Sequence, residues 1–334
     1  ILNDNSQAKF IGNLEINNLN INELIFEDTT SKTENNNIDL SPIQFELATR
    51  VNSFKVNDFK AKSINGTLIS DKKSIRLEEL KMTALDGTID GEISIKNWGK
   101  NYLLDIQSEL HMVNIKKLFS QFNNFYQNEI TDKNISGILD GSVITKVILD
   151  NNYEPILPKL YAKSSITIKN GALNGYEPLK ELSSFVHIKD LENVTFKTLS
   201  NSIEIFDQTI FIPKMRIENN ALNLQLEGTH TFDNLMSYAM EISVAELLAT
   251  KANWIAKKAE KRIERNKTGG LTAYVVMEGT PDNLKIKYDR STVKENIKKE
   301  VKNEKKKFIQ TLKGENTLQD QEKKSKSYDD VWDE

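Results

Sequence analysis

The side chains of this 334-residue chain that could do chemistry are few and scattered. Its three histidines, His111, His187 and His230, stand far apart, and none shows the H-x-x-x-H or carboxylate spacing that builds a metal site. His230 follows Gly228-Thr229 and fits a hydrogen-bonded structural residue at a strand corner. The chain has no cysteine, which excludes disulfides, thiolate nucleophiles and Cys-ligated metals and says little about compartment. Asp86, Asp90, Asp140 and Asp150 could in principle supply a glycosidase-like carboxylate pair. Each, however, lies beside Gly or Asn, where Asp is ordinary turn chemistry. There is no G-x-S-x-G elbow and no P-loop, and Asn-x-Ser/Thr triplets such as Asn65-Gly66-Thr67, Asn134-Ile135-Ser136 and Asn193-Val194-Thr195 fit chance in an Asn-rich chain. The expectation is a protein that is not an enzyme and carries no metal or cofactor.

What the chain has instead is a long run of short elements. Hydrophobic content of 38% against 28% charged residues is globular but lean, which implies a thin, extended core. A net charge of −3 gives no global attraction to nucleic acid. No apolar run approaches the ~18 residues needed to span a bilayer. The chain begins at Ile1, with no signal-like stretch after it, so it is expected to be a processed or excised piece whose anchor lies upstream.

Period-2 alternation dominates from Phe10 to Tyr288 and predicts β-strands. Asn65-Gly66, Asp86-Gly87, Asp140-Gly141 and Asn170-Gly171 are dipeptides that join antiparallel neighbours, so sequential hairpins are expected over crossovers. Helical spacing takes over at 113–127 (Ile115, Leu118, Phe119, Phe122, Phe125, Tyr126), briefly at 179–185, and again at 245–265. The last of these has an Ala-rich apolar stripe opposite Lys257, Lys258, Lys261, Arg262 and Arg265. It fits packing on the sheet, or plugging one end of a groove, better than lying on a membrane surface. The expected organisation is a first β-meander (1–112), an amphipathic helix and linker (113–136), a second meander (137–244), an amphipathic helix (245–268), a closing hairpin (269–290) and a charged, helical to disordered tail (291–334).

Two stretches, 64–119 and 203–248, share a plan. Ile75 matches Ile210 at an offset of 135 (210 − 75), and Gly91 matches Gly228 at 137 (228 − 91). Each copy feeds an amphipathic helix. Within the strands every second residue is apolar, as in Leu222-Asn223-Leu224-Gln225-Leu226-Glu227, so one sheet face is apolar and the other polar. The helices are too few to cover such a face. Either the sheet closes on itself as a dry sandwich or barrel, or it curls into a groove that holds an apolar ligand. Candidate lining residues are Ile89, Ile93, Ile95, Leu104, Ile106, Ile166, Ile168, Leu222, Leu224 and Leu226.

Several segments, in order, resemble the C-terminal region of the AsmA-like family of bacterial envelope proteins. They are Lys116-Lys117-Leu118-Phe119-Ser120-Gln121-Phe122-Asn123-Asn124-Phe125, Ile135-Ser136-Gly137-Ile138-Leu139-Asp140-Gly141, and Ile168-Lys169-Asn170-Gly171-Ala172-Leu173 with Tyr176-Glu177-Pro178-Leu179. Ile212-Pro213-Lys214-Met215, Gly228-Thr229-His230-Thr231-Phe232-Asp233 and Glu278-Gly279-Thr280-Pro281-Asp282 continue the pattern, which covers about 51–312. The resemblance implies a mainly β fold, a long antiparallel meander curled into a groove with a few amphipathic helices. It also implies residence on the periplasmic side of the inner membrane through an upstream anchor. The implied role is a part in outer-membrane assembly and in moving phospholipid between the membranes, akin to bridge-like lipid transfer proteins. Phospholipid acyl chains and other envelope proteins are then the expected partners. A structural scaffold of the envelope with a closed, dry β core is the alternative.

Overall fold

A computed structural model of the chain describes residues 9–24, 44–71, 73–126, 128–184, 188–243, 263–265 and 271–287. The molecule is mainly β, as expected. All the strands among the described residues join one 15-stranded sheet. The strands are β1 (Lys9–Asn20), which runs into the one-turn helix α1 (Ile21–Leu24), β2 (Gln44–Val56), β3 (Phe59–Ser70), β4 (Ser74–Ala84), β5 (Gly87–Trp98), β6 (Asn101–Asn114), β7 (Ile135–Leu149) and β8 (Tyr161–Asn174). They continue as β9 (Asn193–Phe206), β10 (Thr209–Ile217), β11 (Leu224–Thr231), β12 (Met236–Ser243), β13 (Ile263–Arg265), β14 (Leu271–Thr280) and β15 (Asn283–Lys287). From β2 to β12 each strand pairs antiparallel with its sequence neighbour, and β12 then pairs with β14. The short β13 and β15 together edge β14, and the outermost strands do not pair with each other, so the sheet is open and not a barrel.

Three expectations are corrected. β1 runs parallel to β2, with Lys9 opposite Gln44 and Asn20 opposite Lys55, so the meander is antiparallel only from β2 onward. Ile263–Arg265, expected in a helix, is a strand on β14; the rest of that helix and the tail lie outside the described residues. Of the four expected turn dipeptides only Asp86-Gly87 turns the chain. Gly66, Gly141 and Gly171 sit inside strands, where a Cβ would meet the carbonyl oxygen of Glu78 at 2.9 Å, that of Ser165 at 2.3 Å, and the Phe196 ring at 2.2 Å. These glycines permit close strand approach.

Strands of this length must bend without turning their apolar residues outward. Extra residues interrupt the register between Leu77 and Leu80, between Leu110 and Val113, and between Ile212 and Met215. Such β-bulges bend a strand and raise its twist. Ser63, Glu79, Met112 and Asn170 take positive φ near 50° at bulged positions. Across each bulge the inward spacing changes from two residues to three: Ala61 to Ile64, Leu77 to Leu80, Leu110 to Val113. All six belong to, or pack on, one cluster.

The bulges also match between the two repeats. Leu77 and Leu80 stand to Ile212 and Met215 at a single offset of 135 (212 − 77, 215 − 80), and Pro213 is accommodated because it falls in the bulge. Gly91 and Gly228, expected as matching positions, lie in equivalent strands but two register positions apart, Gly91 opposite Leu80 and Gly228 opposite Ile212. A Cβ on Gly91 would lie 2.1 Å from the Gln107 carbonyl oxygen, and one on Gly228 would lie 2.2 Å from that of Ser237. We therefore expect Gly91→Ala and Gly228→Ala each to lower stability by about 1–3 kcal/mol through overpacking. Urea denaturation of the two variants checks this; unchanged midpoints would show that the sheet relaxes at these points.

Candidate functional site

Register places the apolar face residue by residue. Leu47, Leu68, Leu77, Ile93 and Ile106 are successive partners on β2 to β6 and form one inward row across five strands. All five side chains are half-buried, neither sealed in a core nor free in solvent. The row continues through the smaller Thr145 and Ala162 to Ile205, Ile210, His230 and Met236. Beside it, Ile75, Ile95 and Leu104 form a second half-buried row leading to the buried Val147. The inner face of β2–β6 is thus an apolar trough with accessible walls.

The trough is finished differently along its length. At the end of the strands where β6 leaves the sheet, α2 (Ile115–Gln121) packs Ile115, Leu118 and Phe119 onto the cluster that contains Ile64, Leu80, Ile89, Leu110, Leu139 and Ile168. Asn114 caps α2 by accepting hydrogen bonds from the Lys116 and Lys117 amides at 3.1 and 3.3 Å, and its own amide donates to the Leu85 carbonyl. Lys117 pairs with Asp86 in the β4–β5 turn and, with Asn114, holds that carboxylate below its ordinary pKa. The helix expected over 113–127 ends at Gln121, because Asn123, Asn124 and Phe125 take left-handed backbone angles.

Over β11–β15 the inner face is covered. The 3₁₀ segment Glu177–Ser184 and α3 (Ile188–Leu191) bring Leu182 and Leu191 onto Leu222, Leu224, Met240, Ile242, Ala273 and Val275, all buried. Tyr176 donates to Met236 Sδ at 3.6 Å from the same segment. Of the ten lining candidates, Ile93, Ile95, Leu104, Ile106, Ile166 and Leu226 are half-buried on the inner face, and Ile89 and Ile168 lie deeper in the α2-capped cluster. Leu222 and Leu224 lie under Leu182 and Leu191, and Leu222 precedes β11 instead of belonging to it.

A polar group lies inside this face, with His230 hydrogen-bonded as its sequence position suggested. His230 is buried, and its Nδ1 lies 3.1 Å from the Tyr238 hydroxyl. Burial lowers the His230 pKa and raises those of Tyr238 and Tyr176, so at neutral pH all three hold uncharged, hydrogen-bonding forms. Burial, reinforced by Asp282, raises the Glu129 carboxyl, whose charge in turn bears on both tyrosines. Tyr238 could have been found, because Met236, Tyr238 and Met240 alternate onto one face. Glu129 and Tyr176 could not, since only the folded loops bring them there.

The outer face is mostly polar and laced with cross-strand pairs such as Lys146–Asp105, Lys169–Asp140 and Lys214–Glu241. It is not uniformly so: Leu103, Ile148, Tyr161, Phe206 and Phe211 are buried there, with Phe206 stacked on Phe211 at 4.2 Å. His111 is exposed beside Asp90 at 3.4 Å, and His187 lies outside the described residues. Among the described residues no group of three or more His, Asp or Glu converges, and no helix is long and apolar enough to cross a membrane.

Comparison with protein-family models, with curated proteins and with solved structures finds no match for the chain.

The lowered His230 pKa has a consequence with a definite sign. A depressed folded-state value contributes stability that is present above the ordinary pKa of about 6.5 and is lost as pH falls through the folded value. The midpoint of urea unfolding is expected to fall between pH 7.5 and pH 5.5, and His230→Gln is expected to flatten that slope. An equal slope in the variant would assign the effect to other groups.

Proposed function

We propose that the chain is a non-enzymatic segment of a lipid conduit, whose inner face shields phospholipid acyl chains from water. The observation that carries this reading is the half-buried row Leu47, Leu68, Leu77, Ile93 and Ile106, an apolar wall continuous over five paired strands. Apolar side chains kept partly in contact with solvent along such a length are a cost to a folded protein unless something covers them. An acyl chain suits the surface because each buried CH₂ contributes about 0.8 kcal/mol without any directional contact. The absence of a converging polar constellation on the inner face of β2–β6 is then what the task requires.

The resemblance to AsmA-like proteins supplies the setting of the proposal. In that setting the trough stands on the periplasmic side of the inner membrane, held by an upstream anchor. It passes phospholipid between the inner and outer membranes in support of outer-membrane assembly. The buried residues over β11–β15 favour a second reading for that part alone, a packed scaffold that ends the trough. The neutral His230–Tyr238 pair fits this scaffold, since it keeps its protons in a hydrogen bond.

A photo-crosslinking amino acid at Ile93 or Ile106 is expected to label acyl chains in gently purified protein, while one at Leu224, beneath Leu182, is not. Native mass spectrometry should show bound lipid, reduced several-fold by Ile106→Glu, whose added charge opposes burial. Lipid-free protein with no labelling at either trough position would overturn the proposal.

A further inference from the structure

The apolar lining does not stop at the rim of the trough that α2 forms; it runs out onto the surface. Phe119 packs on the trough cluster, and Phe125 meets it edge-on with ring centroids 5.1 Å apart. Phe122 stacks on Phe125 at 6.0 Å with rings 5° from parallel, and leans on Phe59 of β3 at 5.3 Å. Phe122 and Phe125 are nevertheless 41% and 46% exposed. Their backbone is strained to hold them there: Asn123, Asn124 and Phe125 have φ of 49°, 50° and 55°. The left-handed region is visited by single residues, seldom by three in succession, and a bulky residue such as Phe is an outlier in it. Strain of this kind persists where position matters.

The turn is anchored on both sides. The Lys60 amide donates to Gln121 Oε1 at 3.0 Å, and the Asp132 amide donates to Asn124 Oδ1 at 2.8 Å. The charged residues on the segments that carry or hold the two rings are nearly balanced: Lys60, Lys116, Lys117 and Lys133 are exposed, as are Asp58 and Asp86, the partner of Lys117, and Asp132 is half-buried.

We propose that Phe122 and Phe125 form a bilayer-docking lip, inserting into the interfacial region of a phospholipid membrane at the rim of the trough beside α2. At 41% and 46% exposure the two phenyl groups offer roughly 130–220 Å², well short of the ~800 Å² that each partner gives to a stable protein interface. That area suits reversible partition into a membrane. The near-balanced charge makes the insertion apolar, so zwitterionic lipid suffices and anionic lipid adds little. Continuity of Phe122, Phe125, Phe119 and the trough cluster gives an acyl chain an unbroken apolar route from bilayer to groove. The inference rests on the acyl-chain reading of the trough but acts through different residues.

The test is flotation of the full chain with phosphatidylcholine vesicles. Phe122→Ser/Phe125→Ser is expected to lower the bound fraction by roughly tenfold or more, with far-UV circular dichroism and co-purified acyl chains unchanged. Leu235→Ser, at the opposite end of the strands, is expected to bind as the parent does. Phe122→Trp should shift its emission to the blue on vesicles and be quenched by brominated acyl chains. Failure of the parent chain to float, equal binding by the double serine variant, or unshifted Phe122→Trp emission would each overturn the lip. Phe-dependent flotation of a chain that carries no lipid would sustain the lip and defeat the acyl-chain reading.

Discussion

Everything in this sheet depends on keeping face parity while the strands bend. A pleated strand sends successive side chains to opposite faces, so one inserted residue reverses every side chain beyond it. Here each insertion is answered by a three-residue apolar step, as from Leu77 to Leu80 and from Leu110 to Val113, and the inward set stays inward. The positive φ of Glu79 and Met112 is the local cost of that correction. Without the bulges the strands would keep their parity but lose curvature. With bulges alone and no compensating spacing, the trough would change its lining from apolar to charged halfway along.

Stability and accessibility are divided between the two halves of the sheet. Over β11–β15, Leu182 and Leu191 seal the inner face, and each fully buried leucine contributes about 1.5–3 kcal/mol of transfer free energy. Over β2–β6 only α2 and the residues beneath it make a comparable core, at one end of the strands. The middle rows are left half-covered. The sealed half also holds the neutral histidine and tyrosines, whereas the accessible half is lined by aliphatic side chains. A surface lined mostly by aliphatic side chains imposes little register on what lies against it.

Much of this was legible in the residues, and the exceptions have physical causes. Period-2 alternation identified the β architecture and the apolar face; Gly91 and Gly228 each lie against a neighbouring strand's carbonyl, but at register positions two residues apart, so the bulges mark the repeat and the glycines do not. Gly66, Gly141 and Gly171 misled too: an Asn-Gly or Asp-Gly pair signals either a turn or a close approach, and local sequence does not distinguish them. The parallel pairing of β1 with β2 is a choice of partner made at long range. The covering of Leu222 and Leu224 depends on where the loop after β8 folds back, and the convergence of Glu129, Tyr176 and Tyr238 depends on two loops at once. The left-handed run at Asn123–Phe125 was hidden because Phe122 and Phe125 continue a helical spacing the backbone does not keep.

From β2 to β12 the order of strands in space is their order in the chain. A sheet wired this way is nearly one-dimensional, because each hairpin leans on its two neighbours and on little else. Inserting or removing one hairpin preserves strand direction, face and every remaining pairing. Length thus becomes a quantity that can be adjusted in increments of about two strand spacings, or roughly 10 Å, without redesigning the fold. The 135-residue offset between equivalent bulges, from β4 to β10, spans three such increments. A molecule built on this plan can be matched to a gap of given width by counting hairpins.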